Sequence, residues 1–177
     1  MSFKKILVAL DRASLASEVF EQALDIAKKE QASLMIFHCL NREEWGEFGP
    51  LIQTGVGLYP VVAENLYQVQ QANLQAEMQQ VQRWLRAYCQ QATEQGIPAQ
   101  VHHEMQAPGP RICSLARSWQ AGLIVLGRRG RKGLSEFLLG SVSNYVLHNA
   151  PCSVLVAQKL SSPIDSPSVG TTSARKL

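Results

Sequence analysis

The sequence predicts an α/β fold, a single doubly wound domain with a five-stranded parallel sheet in the order 3-2-1-4-5 and helices on both faces. Five short apolar runs, "KKILVAL", "SLMIFHCL", "AQVHHEM", "GLIVLG" and "CSVLVAQ", read as strands. Between them lie segments whose apolar residues recur at helical spacing, so strand and helix alternate along the chain as a parallel sheet requires. "KKILVAL" and "GLIVLG" also lack polar alternates, the mark of a strand covered on both faces.

Taken in order, residues 4–10 form the first strand. After Asp11, Ser14 or Ser17 can cap a helix whose apolar stripe is Val19, Phe20, Ala23, Leu24 and Ala27. It closes on Lys28 and Lys29, which suit the negative end of the helix dipole. Residues 33–40 make the second strand, completing one βαβ unit. Residues 41–60, "NREEWGEFGPLIQTGVGLYP", lose all periodicity and predict a long irregular connection in which Trp45 and Phe48 anchor a loop, a lid or a subunit contact. A helix over about 62–95 follows, clearest at Met78, Val81, Leu85, Tyr88 and Ala92, with Gly96 and Pro98 stopping it. Then come a strand over 99–105, a helix over 110–120 with Pro110 early in it, and a buried strand over 122–127. A helix from Ser141 to Asn149 and a last strand after Pro151 end the domain, which we place at residues 1–159. Residues 160–177 are Ser, Thr and Pro with little to bury and read as a disordered tail.

A chain of 177 residues, 46% of them hydrophobic, is long enough for one domain with a substantial core. The net charge of +3 is mild, and Arg128, Arg129, Arg131 and Lys132 stand together instead of covering a face. That pattern favours a local anion site over a nucleic-acid surface, with a solvated loop as the plainer reading. The apolar run near the N-terminus, Ile6 to Leu10, is too short for a signal-peptide core, and nothing else is long enough to span a membrane. Cys39, Cys89, Cys113 and Cys152 are far apart with no Cys-x-x-Cys pair, which predicts reduced thiols and a cytoplasmic protein. The histidines show no metal-ligand spacing, and His102 and His103, adjacent on a strand, face opposite sides.

In a doubly wound sheet the ligand crevice lies beyond the carboxyl ends of the strands where the strand order reverses, here between the first and fourth. Those ends carry Asp11 and "GRRG". A carboxylate there can accept from ribose hydroxyls or help hold a metal, while the glycines let backbone amides approach phosphate oxygens with no Cβ in the way. Gly140 and Ser141, at the start of the next helix, add free amides, a positive dipole end and a hydroxyl. No Walker A sequence occurs, and "GVGLYP" lacks the third glycine and the preceding strand of a dinucleotide fingerprint.

The chain resembles the universal stress protein family, and within it the ATP-binding branch, whose pattern Gly-x2-Gly-x9-Gly-Ser/Thr is matched by Gly127, Gly130, Gly140 and Ser141. The similarity extends over about residues 3–158, including the first strand ending in Asp11, "FHCL" and "NAPCSVLVAQ". It implies that the backbone around Ala9 and Asp11 and the strand end at Cys39 hold adenine and ribose. Gly127, Gly130, Gly140, Ser141, Val142 and Ser143 would then hold the phosphates. From the residues themselves, Arg128 in the basic cluster is read as near the phosphates and Asp11 as able to hold a Mg²⁺. Position 39 is cysteine where the branch has valine, and positions 9 and 10 read Ala-Leu where it often has Pro-Thr or Ala-Val.

The reading is thus a binding module that takes ATP, or ADP or AMP, and changes partner or assembly state with it in stress response or signalling. A slow Mg-dependent ATP hydrolase or phosphotransferase using Asp11 is disfavoured, because phosphoryl transfer needs a positioned nucleophile and the matched residues offer no dedicated base; Glu136 is the nearest acid that can orient a water. A nucleotide-free interaction protein is the remaining class, and the intact glycine pattern argues against it. The last strand should lie at a sheet edge, where an apolar, unpaired strand is a template for another chain. This predicts a homodimer through Val154, Leu155 and Val156, as the family resemblance also implies.

Overall fold

The computed structural model describes residues 2–12, 15–40, 60–128 and 139–158, with the backbone alone over 60–64. Five strands, β1 (Lys5–Ala9), β2 (Ser33–Leu40), β3 (Ala99–Met105), β4 (Leu123–Gly127) and β5 (Ser153–Ala157), form one sheet in the order β3-β2-β1-β4-β5. Every neighbouring pair is parallel, with Ile6 between Leu34 and Leu123 and Gly127 opposite Ala157. The fold class and strand order are those expected from the sequence.

The helices are α1 (Ala16–Glu30), α2 (Pro60–Glu94), α3 (Pro108–Trp119) and α4 (Ser141–Asn149). Successive strand residues point to opposite faces, so each strand feeds two cores. Ile6, Val8, Leu34, Ile36, Leu123 and Val125 pack with Val19, Phe20 and Leu24 of α1 and with Val81 and Leu85 of α2. Leu7, Phe37, Ile124 and Leu126 pack on the other face with Ile112 and Ala116 of α3 and Val146 of α4. Burying each such large side chain contributes about 1.5–3 kcal/mol, which is why the short central strands can be apolar throughout.

Two local expectations change. Helix α3 begins at Pro108, so that Pro108 and Pro110 both fall in the first turn, where a missing N–H costs no intrahelical bond. Ser17 does not cap α1: the N-cap is Leu15, without a side-chain cap, and the Ser17 hydroxyl lies 3.4 Å from that of Tyr88. A partner on α2 replaces the local backbone partner that cap preference anticipates, and Ser14 lies outside the described residues. Loop 41–59 and residues 159–177 also lie outside them, with Trp45, Phe48 and Glu136.

Helices α3 and α4 approach closely at Gly109, where a Cβ would come within 2.9 Å of the Tyr145 ring. Among the described residues no helix is long and apolar enough to cross a membrane.

Candidate functional site

The chain leaves β1 at Ala9, runs through Leu10 to Asp11, and turns towards α1 on one face. It leaves β4 at Gly127 and comes back to start α4 on the other. β1 and β4 are neighbours, so the crevice between these two exits is the switch point of the sheet. Cys39 stands one strand further along, near the carboxyl end of β2.

The exit from β4 and the entry to α4 are stitched together. Arg128 N–H donates to Ala157 O across 2.8 Å, carrying the sheet ladder one step past β4. Gly140 N–H donates to Arg128 O across 2.9 Å, and the Ser143 hydroxyl donates to Gly127 O across 2.7 Å. Residues 128 and 140 are therefore adjacent in space. Arg129, Gly130, Arg131 and Lys132 lie outside the described residues. The Arg128 side chain reaches Gln158, 3.2 Å away.

Gly140 is the N-cap of α4, with φ −61° and ψ 153° and no side-chain cap. Any residue adopts those angles, so backbone conformation does not demand glycine there. Helix geometry leaves the amides of Ser141, Val142 and Ser143 without intrahelical acceptors, and no acidic residue stands in the first turn to neutralise them. They form a positive, donor-rich end beside the Gly127 exit, suited to a phosphate or carboxylate. Ser143 is only 3% exposed, and its hydroxyl faces the β4 carbonyls, so what it offers a ligand is its N–H.

At the β2 end, the Cys39 thiol donates to Gln106 O across 3.0 Å. Burial pushes it above the ordinary thiol range, outweighing that hydrogen bond, so it stays protonated at neutral pH. Nearby on β3, Glu104 takes both Arg111 and, at 2.5 Å, His102 Nε2. The Arg111 hydrogen bond chiefly holds its carboxyl below the usual range.

The pattern defining the universal stress protein family matches residues 2–158. The chain belongs to the universal stress protein family. It is similar to universal stress protein Sll1388 of Synechocystis sp., at 39% identity over 89% of this chain and 99% of that one. Among solved structures it is similar in fold to MJ0577, with a TM-score of 0.73, 17% identity, and 92% and 100% of the two chains covered. It is also similar in fold to the universal stress protein from Archaeoglobus fulgidus in complex with dAMP, with a TM-score of 0.54, 19% identity, and 88% and 98% covered.

The sequence-predicted residues Ala9, Asp11, Gly127, Arg128, Gly140, Ser141, Val142 and Ser143 gather at the β1 and β4 exits of this universal stress protein, with Cys39 alongside. Two residues escaped the sequence reading. His38 is buried, and its signal was its place in the series Leu34, Ile36, His38, Leu40 on one covered face of β2. Leu147 is 46% exposed on α4, the helix leading into β5, and shows in sequence only as an apolar residue out of phase with Val142 and Val146.

Proposed function

We propose that this universal stress protein binds an adenine nucleotide, with ATP the first choice, and acts as a nucleotide-dependent module of stress response or signalling in the cytoplasm. The phosphates lie at Gly127 to Gly130 of the glycine pattern and at the Gly140–Ser141 helix start, the ribose at Asp11, and the adenine between Ala9 and Cys39. The uncapped start of α4 carries the reading. Three amides without intrahelical acceptors, behind a glycine whose backbone angles do not require glycine, stand beside the switch point of the sheet. The dAMP complex of the Archaeoglobus fulgidus relative supports an adenine nucleotide as the ligand class.

Where a magnesium ion accompanies the phosphates, Asp11 would be the side chain to hold it in place of its contact with the ribose. The described residues hold no group of three acidic, histidine or cysteine side chains placed to cage a metal. One carboxylate plus phosphate oxygens and waters suits magnesium, which gives up its waters reluctantly. It would supply neutralisation of the phosphate charge. The module works as a homodimer through Val154, Leu155 and Val156 of β5, the outer strand of the sheet.

The test is calorimetry with ATP on wild type and Gly140→Val, together with mass spectrometry of any nucleotide released on denaturing freshly purified protein. Wild type should bind, and the valine side chain, standing where a phosphate oxygen belongs, should abolish most binding while the thermal transition is kept. Absence of ATP binding by wild type, or equal binding by the variant, overturns the reading.

A further inference from the structure

His38 is 5% exposed, and its Nδ1 lies 2.7 Å from the Leu10 carbonyl oxygen. A carbonyl only accepts, so Nδ1 carries the proton in this bond. Leu10 N–H in turn donates to Phe37 O across 2.9 Å. Both polar groups of Leu10 are thus held by consecutive residues of β2, although Leu10 lies beyond the end of β1. A peptide unit is planar, so fixing the Leu10 carbonyl also fixes the N–H and Cα of Asp11. On the other side of Asp11, Arg12 pairs with Glu77 of α2. The His38 ring itself is braced by α2: Trp84 meets it edge-on with centroids 5.4 Å apart, and Tyr88 backs Trp84 at 5.5 Å. Tyr88 rests on Phe20 of α1 at 4.6 Å.

We infer that His38 is a positioning residue for the nucleotide site: its Nδ1–H sets the Leu10–Asp11 peptide plane so that the Asp11 carboxylate meets the ribose, and its contact with Trp84 ties that setting to α2. The inference rests on the nucleotide reading above for its ligand and on the geometry around Leu10 for its mechanism. Without the imidazole donor, the buried Leu10 carbonyl lacks its side-chain partner and the turn after β1 can rotate about Leu10.

The test compares wild type with His38→Leu, which removes the donor and keeps an apolar contact for Trp84, and His38→Asn, whose amide restores a donor close to the Nδ1 position. Hydrogen exchange at the Asp11 and Arg12 amides is measured without nucleotide, and ATP affinity by calorimetry, both also in an Asp11→Ala background. His38→Leu should speed Asp11 exchange and weaken ATP binding by about tenfold each, His38→Asn should recover most of both, and in the Asp11→Ala background His38→Leu should still speed exchange at position 11 while adding nothing to the loss of ATP affinity. Affinity losses that add fully in the double variant, or wild-type exchange and affinity in His38→Leu, overturn the inference. If the leucine variant fails to fold, His38→Gln, with its amide one bond further out, takes its place and should behave like the leucine variant. Wild type without ATP affinity sinks the nucleotide reading, while exchange still decides whether His38 sets the turn.

Discussion

Ser143 donates its hydroxyl to the carbonyl of Gly127 across 2.7 Å, joining the first turn of α4 to the last residue of β4. The bond fixes how the helix end faces the carboxyl end of β4. Ser143→Ala leaves the Gly127 carbonyl without this donor in a buried place. The expected loss is about 1–3 kcal/mol of stability, read from urea unfolding, with a parallel loss of ATP affinity as the amides swing away. Unchanged unfolding in the alanine variant would show that the bond carries nothing.

Ser141 differs, because its side chain opens the helix instead of anchoring it. Ser141→Ala should lower ATP affinity about tenfold to a hundredfold by removing one hydrogen bond to a charged group, with stability barely moved. Arg128→Ala should cost less, since its guanidinium already has Gln158 and is open to solvent, and its effect should shrink as salt rises. Calorimetry at low and high salt separates the two.

Among the described residues β5 is an outer strand of the sheet, a position that offers backbone groups to another chain, and Leu147 on α4 is an exposed apolar residue. Wild type should sediment as a dimer at micromolar concentration. Leu147→Glu combined with Val154→Arg should sediment as a monomer with a native circular dichroism spectrum. A monomeric wild type, or a dimer that survives both charges, refutes β5 pairing.

Glu104 offers a pH test. Its carboxyl is held below the usual range, chiefly by Arg111, so the folded protein keeps it ionised at a pH where the unfolded chain protonates it. A depressed carboxylate contributes stability that is full above the unfolded pKa, near 4.3, and is lost as pH falls through the folded value. Arg111→Ala should therefore cost about 1 kcal/mol or less at neutral pH, the modest figure reflecting solvent near the pair, and the cost should vanish well below pH 4. NMR titration of Glu104 should show its pKa rising in the variant; an unmoved pKa would mean Arg111 is not the cause.

Much of the architecture was legible in the sequence because burial on both faces leaves a strand no choice of polar alternates, as in Ile6 to Ala9 and Leu123 to Leu126. The glycine and serine at 140 and 141 were legible for a similar reason: a helix start without a side-chain cap is written in local sequence. What stayed hidden depends on partners distant in the chain. Ser17 looks like a cap until Tyr88 is placed near it, and His38 looks like any strand histidine until Leu10 and Trp84 surround it. Ser143 is grouped with the phosphate residues by the family resemblance, and only the fold shows that its hydroxyl is taken by Gly127.

Helix α2 runs from Pro60 to Glu94, while the strands it covers span five to eight residues. From Val81 onward its inner side is buried in the core, and Glu77 holds the Arg12 end of the Asp11 turn, whereas Leu66, Tyr67 and Val69 stand exposed. Asn65 lies about 18 Å along the helix axis from Glu77, so a tilt of the helix about Glu77 would carry Asn65 through about 0.3 Å per degree while the pairing with Arg12 stays at the pivot.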